Sequence, residues 1–277
     1  MTYRSISIQK ERPQWLYSIC CIVSNMAEYQ TMKQSFEHCG FRDDCEYLVA
    51  DNTQGNEFDA YLAITRFIQE AVGKYVMLVH QDVRCIDKKK MLTRCLDDLS
   101  VNDPFWAVCG NAGGRGYHQL VYYLNNAGKI VTHTNLPARV DTLDENFLVI
   151  NKASSATVSP DLKGFHLYGT DICLVADFMG YHCYVIPFMV KHLSLGNLKD
   201  LEKFTGRFIR KYGMKIRSRY LETTCTKFYL SNSPLKNRIL NSPLIFPLVK
   251  FIQRLKWIGK KISGSDPHKK KVVMEKD

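Results

Sequence analysis

Polar side chains that could bind a metal ion or a phosphate follow short apolar runs in the sequence. Ser24-Asn25, Asp51-Asn52 and His80-Gln81-Asp82 each come directly after such a run, and Asp171 and His192 lie beside later ones. A carboxylate at the end of a buried segment is costly unless it has a partner. Asp and His ligands suit Mn²⁺ or Mg²⁺ bound together with phosphate oxygens. These residues are therefore candidates for a metal–diphosphate site, although each one alone is more often a helix cap, an ion-pair member or a satisfied polar group.

The elements that must position these residues alternate between strands and helices over the first 200 residues. Strands are predicted at Trp15–Ser24, Tyr47–Ala50, Tyr75–Val79, Phe105–Cys109, Phe147–Ile150 and Tyr181–Ile186. Helices are predicted at Met26–Cys39, Glu57–Val72, Lys88–Leu99 and Asp171–Met179, the last with Thr170 as its N-cap. This alternation predicts an α/β domain with a largely parallel sheet, in which ligands bind beyond the carboxyl ends of the strands. The polar clusters that end the first three strands are therefore expected to converge on one crevice.

Four segments resemble a family-2-type glycosyltransferase of the GT-A fold, and they occur in that family's order. They are SICCIVSN (18–25), YLVADNT (47–53), GKYVMLVHQDV (73–83) and HLYGTDICLVADFMGYHCYVIPFMVKHLSLG (166–196). The similarity covers residues 14–199 and is closest to a branch that carries His-Gln-Asp-Val in place of Asp-x-Asp. It implies a GT-A (Rossmann-like) mixed, mostly parallel sheet flanked by helices, with 14–199 as the glycosyltransferase domain and 200–277 as an extension.

The resemblance also implies roles for individual residues. Those implied for nucleotide binding are Ser24, Asn25, Asp51, Gln81 and Asp82. Those implied to hold the cofactor, Mn²⁺ or Mg²⁺, are His80, Asp82 and His192. Those implied to line the donor or acceptor pocket are Asp141, Asp144, Tyr168, Gly169 and Thr170, although the two aspartates could equally form a solvated acidic turn. Asp171 falls where inverting members carry their catalytic base, and the alternative is that it only interacts with the dipole of the helix it opens.

The activity implied is transfer of a sugar, with inversion, from a nucleoside-diphosphate donor to a hydroxyl of a lipid-linked or polysaccharide acceptor, as in bacterial surface glycan synthesis. A divalent cation would neutralise the leaving diphosphate, and a carboxylate would accept the proton of the attacking hydroxyl. Two alternatives stay open. One is a sugar-nucleotide pyrophosphorylase, although Ser24-Asn25-Met26 stands where such enzymes carry a Gly-rich loop. The other is a non-catalytic scaffold, because His80 replaces a carboxylate of the metal site.

The positive charge of the chain is confined to its C-terminal part. The net charge of the 277 residues is +11, but residues 1–199 carry 19 Lys+Arg against 21 Asp+Glu, and residues 200–277 carry 19 against 6. This extension is predicted to be mainly helical, at Leu201–Tyr212, Leu221–Leu230 and Leu248–Ile262, with a disordered tail from Ser263. The last helix pairs an apolar stripe with Lys and Arg, which favours binding to an anionic membrane surface over packing on the main domain or on a protein partner. Nucleic acid is disfavoured because no nucleic-acid motif accompanies the charge.

Composition sets the class of protein. The chain is 45% hydrophobic and 23% charged, which is typical of soluble globular proteins and argues against a disordered chain. It has no apolar run long enough to span a membrane, and its N-terminus lacks the apolar core of an export signal, so a cytoplasmic protein, peripheral on the inner face of the membrane, is expected. The ten cysteines are then expected to be reduced core residues. The Gly110–Gly116 segment is interpreted as a flexible active-site loop, with a plain turn as the alternative.

Overall fold

The structure is a computed structural model that describes residues 13–116, 119–126, 129–131, 135–194, 200–213 and 218–262. Its strands, in chain order, are β1 (Trp15–Val23), β2 (Cys45–Asp51), β3 (Gly73–Val79), β4 (Val83–Cys85), β5 (Trp106–Gly110), β6 (Ala112–Gly114), β7 (Leu120–Tyr122), β8 (Leu124–Asn126), β9 (Lys129–Val131), β10 (Ala138–Val140), β11 (Thr142–Leu143), β12 (Phe147–Asn151), β13 (His182–Val185), β14 (Val190–His192), β15 (Arg219–Glu222) and β16 (Lys227–Leu230). Its α-helices are α1 (Met26–His38), α2 (Ala60–Glu70), α3 (Lys89–Asn102), α4 (Tyr168–Phe178), α5 (Leu201–Tyr212), α6 (Pro234–Leu240) and α7 (Phe246–Ile262).

A seven-stranded sheet in the order β10-β13-β5-β12-β3-β1-β2 forms the centre of the fold. Strand β1 is parallel to β2 and β3, and β13 is parallel to β5. Strand β12 is antiparallel to both β3 and β5, and β10 is antiparallel to β13. Five of the seven strands therefore point the same way, which confirms the predicted mixed, mostly parallel α/β sheet flanked by helices.

Helices cover both faces of this sheet because successive side chains of a strand point to opposite faces. On one face, Tyr17 and Ile19 of β1 share a core with Phe36 of α1 and Leu96 of α3. On the other face, Cys20 shares a core with side chains of α2 and α4. Nine of the ten cysteines are buried and Cys225 is exposed, as expected of small core residues.

Strand β12 begins at the edge of the sheet where the parallel strands end. Since β12 runs against β3, its first residue Phe147 pairs with Val79, the last residue of β3. The segment before β12 is therefore brought to the same edge as the segment after β3. A small two-stranded sheet lies at this edge as well, in which His192 of β14 pairs with Val83 of β4.

Two predictions for local structure in the main domain are wrong. Helix α4 begins at Tyr168, after Leu167 in a left-handed conformation (φ 63°), so Thr170 lies inside the first turn and is not the N-cap. The glycine-rich segment is not a flexible loop, because residues 112–114 form the buried strand β6. A side chain on Gly113 would overlap the carbonyl oxygen of Thr142, so these glycines allow close backbone packing.

The extension beyond residue 199 contains a hairpin where the sequence predicted a helix. Strands β15 and β16 pair around a turn in which the Thr223 hydroxyl accepts hydrogen bonds from the amides of Cys225 and Thr226. Leu221 and Phe228 are buried, together with Phe208 of α5, against Leu174 of α4. The described start of the extension therefore shares a core with the main domain. The predicted disordered tail lies outside the described residues.

Candidate functional site

Three potential metal ligands converge just beyond the carboxyl end of β3. His80 and Asp82 lie in the turn between β3 and β4, and His192 ends β14. The pairing of β14 with β4 places His192 Nε2 3.2 Å from Asp82 Oδ1. One ligand atom from each of the three half-buried residues lies within 4.8 Å of the others. Two imidazoles and a carboxylate are a donor set that fits a divalent cation; we call this set the metal triad.

The charges within the metal triad suit metal binding. Burial raises the pKa of Asp82, but hydrogen bonds from His192 and Ser194 outweigh it and bring that pKa well below its ordinary value. Burial, followed by the charge of His192, lowers the pKa of His80. The hydrogen bond between His192 and Asp82 raises the pKa of His192. Asp82 is therefore ionised and His80 neutral at pH 7, the forms that bind a metal, while the hydrogen bond to Asp82 favours the protonated form of His192, with which a metal ion would compete.

Tyr168 orients His80. The Tyr168 hydroxyl lies 2.7 Å from His80 Nε2 and donates a hydrogen bond to the carbonyl oxygen of Glu145 over 3.1 Å. Because the hydroxyl has one proton, it accepts from Nε2–H of His80. This tautomer leaves the lone pair of Nδ1 for a metal ion, and metal-binding histidines are usually oriented in this way by a hydrogen bond at their other ring nitrogen.

Gln81 fastens the end of β1 to the end of β3. Its Oε1 accepts hydrogen bonds from the amides of Ser24 and Asn25, each over 2.9 Å, and its Nε2 donates to Ser24 Oγ over 3.1 Å. The Asn25 side chain caps α1 by accepting from the amides of Ala27 and Glu28. Gln81 and Asn25 are thus engaged in shaping the turn around the metal triad.

A cavity of about 720 Å³ opens beside the metal triad. It is lined by eight of the residues predicted from the sequence: Ser24, His80, Gln81, Asp82, Asp144, Tyr168, Thr170 and His192. Five others do not line it: Asn25, Asp51, Asp141, Gly169 and Asp171. Apolar side chains of α2 and β3 also line it, and a volume of this size is typical of a site for a small organic ligand.

Asp51 and Asp141 are engaged outside the lining of this cavity. Asp51 is exposed at the end of β2, where its carboxylate accepts from the Thr53 amide over 2.8 Å. The neighbouring Asn52 lines the cavity instead, and its side chain holds the loop before α2 through two hydrogen bonds to the backbone of Phe58. Asp141 accepts from the amide of Gly116 over 2.8 Å, next to β6.

Asp171 lies in the core beneath the first turn of α4. It is fully buried, and its carboxylate accepts from the amide and hydroxyl of Ser159 over 2.6 and 2.9 Å and from the hydroxyl of Tyr212. Burial raises its pKa, and these hydrogen bonds act in the opposite direction. The arrangement ties α4 to α5 and to the loop after β12. The catalytic role of Asp171 stays a prediction, and its surroundings give it a structural role.

Several cavity residues were missed by the sequence analysis. Glu145 is half-buried in the cavity wall, and the signal for it was its place beside Asp144, before a buried strand. The extension contributes Phe204 of α5 and the hairpin turn, where the hydroxyl of Thr224 donates to Asp144 Oδ2 over 2.6 Å. Phe204 lies in a helix that was predicted, but no local pattern marks it as a cavity residue. The hairpin turn was missed because residues 221–230 were predicted to form a helix.

Comparison with known proteins adds one clear relative. No family model matches the chain. The protein called ATP synthase subunits region ORF 6 of Fuscovulum blasticum is 34% identical to it over 192 residues, which cover 66% of this chain and 77% of that protein. The chain belongs to the family of this ORF 6 protein. The name of that ORF 6 relative states a genomic region and no activity.

Solved structures show a distant likeness to the ORF 6 family chain. The crystal structure of A197 from STIV has a TM-score of 0.41 and 11% identity, covering 64% of this chain and 85% of that one. A mutant of Drosophila beta-1,4-galactosyltransferase 7, in complex with manganese, UDP-Gal and xylobiose, has a TM-score of 0.39 and 12% identity, covering 67% and 73%. Among the described residues of the chain, no helix has the length and apolar character needed to cross a bilayer.

Proposed function

We propose that this protein is a metal-assisted glycosyltransferase that moves a sugar from a nucleoside-diphosphate donor to an acceptor hydroxyl. The observation that carries the proposal is the metal triad on the wall of a 720 Å³ cavity at the carboxyl edge of the sheet. The similarity of the HQDV, YGTD and KHLS segments to family-2 glycosyltransferases supports the same reaction. Sites for phosphorylated ligands are common at this edge of α/β sheets.

The cavity offers separate places for the parts of such a donor. The diphosphate would lie at the metal triad, where a bound cation supplies Lewis-acid stabilisation of the leaving group. The nucleoside would extend toward Ser24 and Asn52, at the ends of β1 and β2. The sugar and the acceptor would then lie toward Glu145 and the hairpin turn of the extension.

We propose Mn²⁺ rather than Mg²⁺ as the cation. Mg²⁺ prefers oxygen ligands and keeps most of its water shell, whereas Mn²⁺ binds more strongly to sites that contain nitrogen ligands. With His80 and His192 contributing imidazoles, Asp82 is the one carboxylate of the metal triad. A triad with one negative charge has little to attract a strongly hydrated Mg²⁺ ion.

Nucleotide-dependent thermal stabilisation tests this function. The melting temperature would be measured with UDP, GDP, dTDP and CDP, each with Mn²⁺, with Mg²⁺ and with neither. A ligand at about 100 times its Kd adds ~2.7 kcal/mol to the free energy of unfolding. One nucleotide should stabilise the protein in a Mn²⁺-dependent way, and the matching nucleotide sugar should then be hydrolysed or transferred.

A matched pair of variants sharpens this test. Asp82→Asn should abolish the Mn²⁺-dependent stabilisation, because it removes the carboxylate of the metal triad. Asp103→Asn disturbs a similar aspartate–histidine pair, Asp103 with His182 at 2.7 Å, that lies outside the cavity. This control should keep the full response to nucleotide and Mn²⁺. A wild-type protein that responds to none of the four nucleotides would overturn the proposed function.

We also propose that α7 binds an anionic membrane surface, where a lipid-linked acceptor would be found. Its sequence carries five Lys and Arg and no Asp or Glu. Its large apolar side chains are 37–59% exposed at Leu248, Phe251, Ile252, Leu255 and Ile258. An exposed apolar stripe flanked by positive charge matches the interface of an anionic bilayer.

Vesicle flotation tests the membrane proposal. The protein should float with phosphatidylserine-containing vesicles and not with pure phosphatidylcholine vesicles. The double variant Arg254→Glu/Lys256→Glu should remain unbound, whereas Arg66→Glu/Arg94→Glu, which alters two exposed arginines of α2 and α3, should bind as the wild type does. Equal binding by both variants would contradict a role for α7.

A further inference from the structure

Glu145 is a carboxylate of the cavity wall to which the sequence analysis assigned no role. It lies between β11 and β12, at the edge of the sheet where β3 ends. The amide of His80 donates to the carbonyl oxygen of the next residue, Asn146, over 3.1 Å. The backbone of this segment is therefore attached directly to the segment that carries the metal triad.

Helix α4 fixes Glu145 from the other side. The amide of Gly169 donates to Glu145 Oε1 over 3.3 Å, and the hydroxyl of Tyr168 donates to the Glu145 carbonyl oxygen. Both the backbone and the carboxylate of Glu145 are thus held by the first turn of α4. The same tyrosine contacts His80, so one hydrogen-bonded chain runs from the metal triad to Glu145.

Gly169 makes room for this carboxylate. A Cβ atom at position 169 would lie 3.2 Å from Cγ of Glu145 and would overlap the carbonyl oxygen of Leu143. A side chain therefore does not fit at position 169 in this arrangement. Asp171, the acidic residue in the first turn of α4, is turned into the core. Glu145 occupies the space in front of the helix.

Three other carboxylates line the cavity, those of Asp82, Asp144 and Asp200, and Asp200 lies directly before α5. Asp82 is hydrogen-bonded to His192 within the metal triad. Asp144 accepts from the hydroxyl of Thr224 and from the amide of Asn146. Glu145 is not a member of the metal triad but is connected to it through Tyr168, in the part of the cavity where the acceptor is proposed to lie.

We propose that Glu145 is the general base for the acceptor hydroxyl, an inference that rests on the proposed glycosyltransferase function. As the acceptor oxygen bonds to the anomeric carbon of the donor sugar, its proton passes to the Glu145 carboxylate. The bond between the anomeric carbon and the diphosphate oxygen breaks, and the nucleoside diphosphate leaves with the bonding electrons. The protonated Glu145 then returns its proton to water after the product leaves.

The environment of Glu145 suits a base at neutral or mildly alkaline pH. Burial, followed by the nearby charge of Asp144, raises the pKa of Glu145 to about 8, against the hydrogen bonds from backbone amides of α4. A general base works best when its pKa lies near the working pH, since it must be both deprotonated and strongly basic. An ordinary exposed glutamate would be a much weaker base.

Three variants of Glu145 test the proposal, with the donor identified by the nucleotide screen. Glu145→Gln should keep the Mn²⁺-dependent response to nucleotide but lower kcat for transfer by ~10²–10⁴-fold, with little change in KM for the donor. Glu145→Asp should retain part of the activity, and Glu145→Ala should regain activity when formate is added. Rescue by an external carboxylate is not expected of a residue with a purely structural role.

Controls separate this proposal from the function on which it rests. Glu46→Gln changes another half-buried glutamate, which accepts from the Val72 amide outside the cavity, and should keep wild-type kcat. If the wild type transfers sugar and folded Glu145→Gln does so at the same rate, Glu145 is not the base, and the proposed function stands. If the wild type neither binds a nucleoside diphosphate nor transfers, both proposals are overturned.

Discussion

The hydroxyl of Tyr168 lies 2.7 Å from Nε2 of His80, so the first residue of α4 holds one member of the metal triad. This hydrogen bond selects the tautomer of His80 and fixes the plane of its ring. It also makes the position of α4 part of the site, although α4 contributes no ligand of its own to the metal triad.

Tyr168→Phe should weaken Mn²⁺ binding by ~10–100-fold, the usual effect of losing a hydrogen bond that orients a metal ligand. The ring of residue 168 would keep its packing, but His80 would lose the contact that orients it. Mn²⁺ affinity would be measured by isothermal titration calorimetry. Tyr184→Phe is the control, because it removes a similar hydrogen bond to Asp103 outside the cavity. Identical Mn²⁺ affinity in both variants would show that Tyr168 does not orient a ligand.

Asp171→Asn should destabilise the protein by ~2–4 kcal/mol while leaving the nucleotide response in place. The buried carboxylate accepts hydrogen bonds from Ser159 and Tyr212, and an amide group would face some of these donors with its own protons. Chemical denaturation would measure the change in the free energy of unfolding. A variant of unchanged stability that has lost all transfer would instead support the catalytic role predicted from the sequence.

The activity should rise with pH through a pKa of about 8 if Glu145 must be deprotonated to act. Well below that pKa, kcat should fall about tenfold per pH unit, because the fraction of ionised base falls by that factor. The pH profile of kcat would be measured between pH 6 and pH 10. The residual activity of Glu145→Gln should lack this dependence, and a wild-type profile that is flat from pH 6 upward would argue against Glu145.

The raised pKa of Glu145 also makes the stability of the folded protein depend on pH. Because the pKa of Glu145 in the folded protein, about 8, lies above its ordinary value of 4.5, the folded state holds the proton more tightly than the unfolded state. Stability from this group is fully present below pH 4.5 and is lost as the pH rises to about 8. Glu145→Gln should therefore gain stability relative to the wild type over this range, as measured by unfolding at pH 5 and pH 9. A difference independent of pH would contradict the shift.

Gly114→Ala should destabilise the protein by ~1–3 kcal/mol, because its Cβ would overlap the carbonyl oxygen of Glu222. That contact joins β6 to the hairpin of the extension, so the hairpin turn beside the cavity should become more susceptible to proteolysis. Gly206→Ala in α5 is the matched control. Its new methyl group would meet only Arg210 Nη1 at 3.9 Å, and it should stabilise the helix by ~0.5–1 kcal/mol. Equal effects of the two variants would rule out the packing argument.

Local patterns in the sequence were sufficient for six of the seven strands of the central sheet and for α1 to α4, but they did not predict β10. In β1 the apolar run marked a strand buried on both faces, and the amphipathic period marked α2, although its start moved to Ala60 with Asp59 as the cap. These features depend on side chains that are close in the sequence, which is why their spacing reveals them. The same reasoning failed for residues 221–230, where the apolar residues of a hairpin were mistaken for a helical face.

The sequence by itself determined the mixed α/β class, the residues that end its strands, and the concentration of positive charge after residue 199. Only the tertiary structure decided which of those residues meet. The pairing of β14 with β4 brings His192 to Asp82, and the antiparallel course of β12 brings Glu145 to the same edge. The burial of Asp171 beneath α4 was likewise decided by packing against α5. Contacts between residues about 40 to 110 positions apart depend on how whole elements pair and pack, and spacing along the chain carries little information about that.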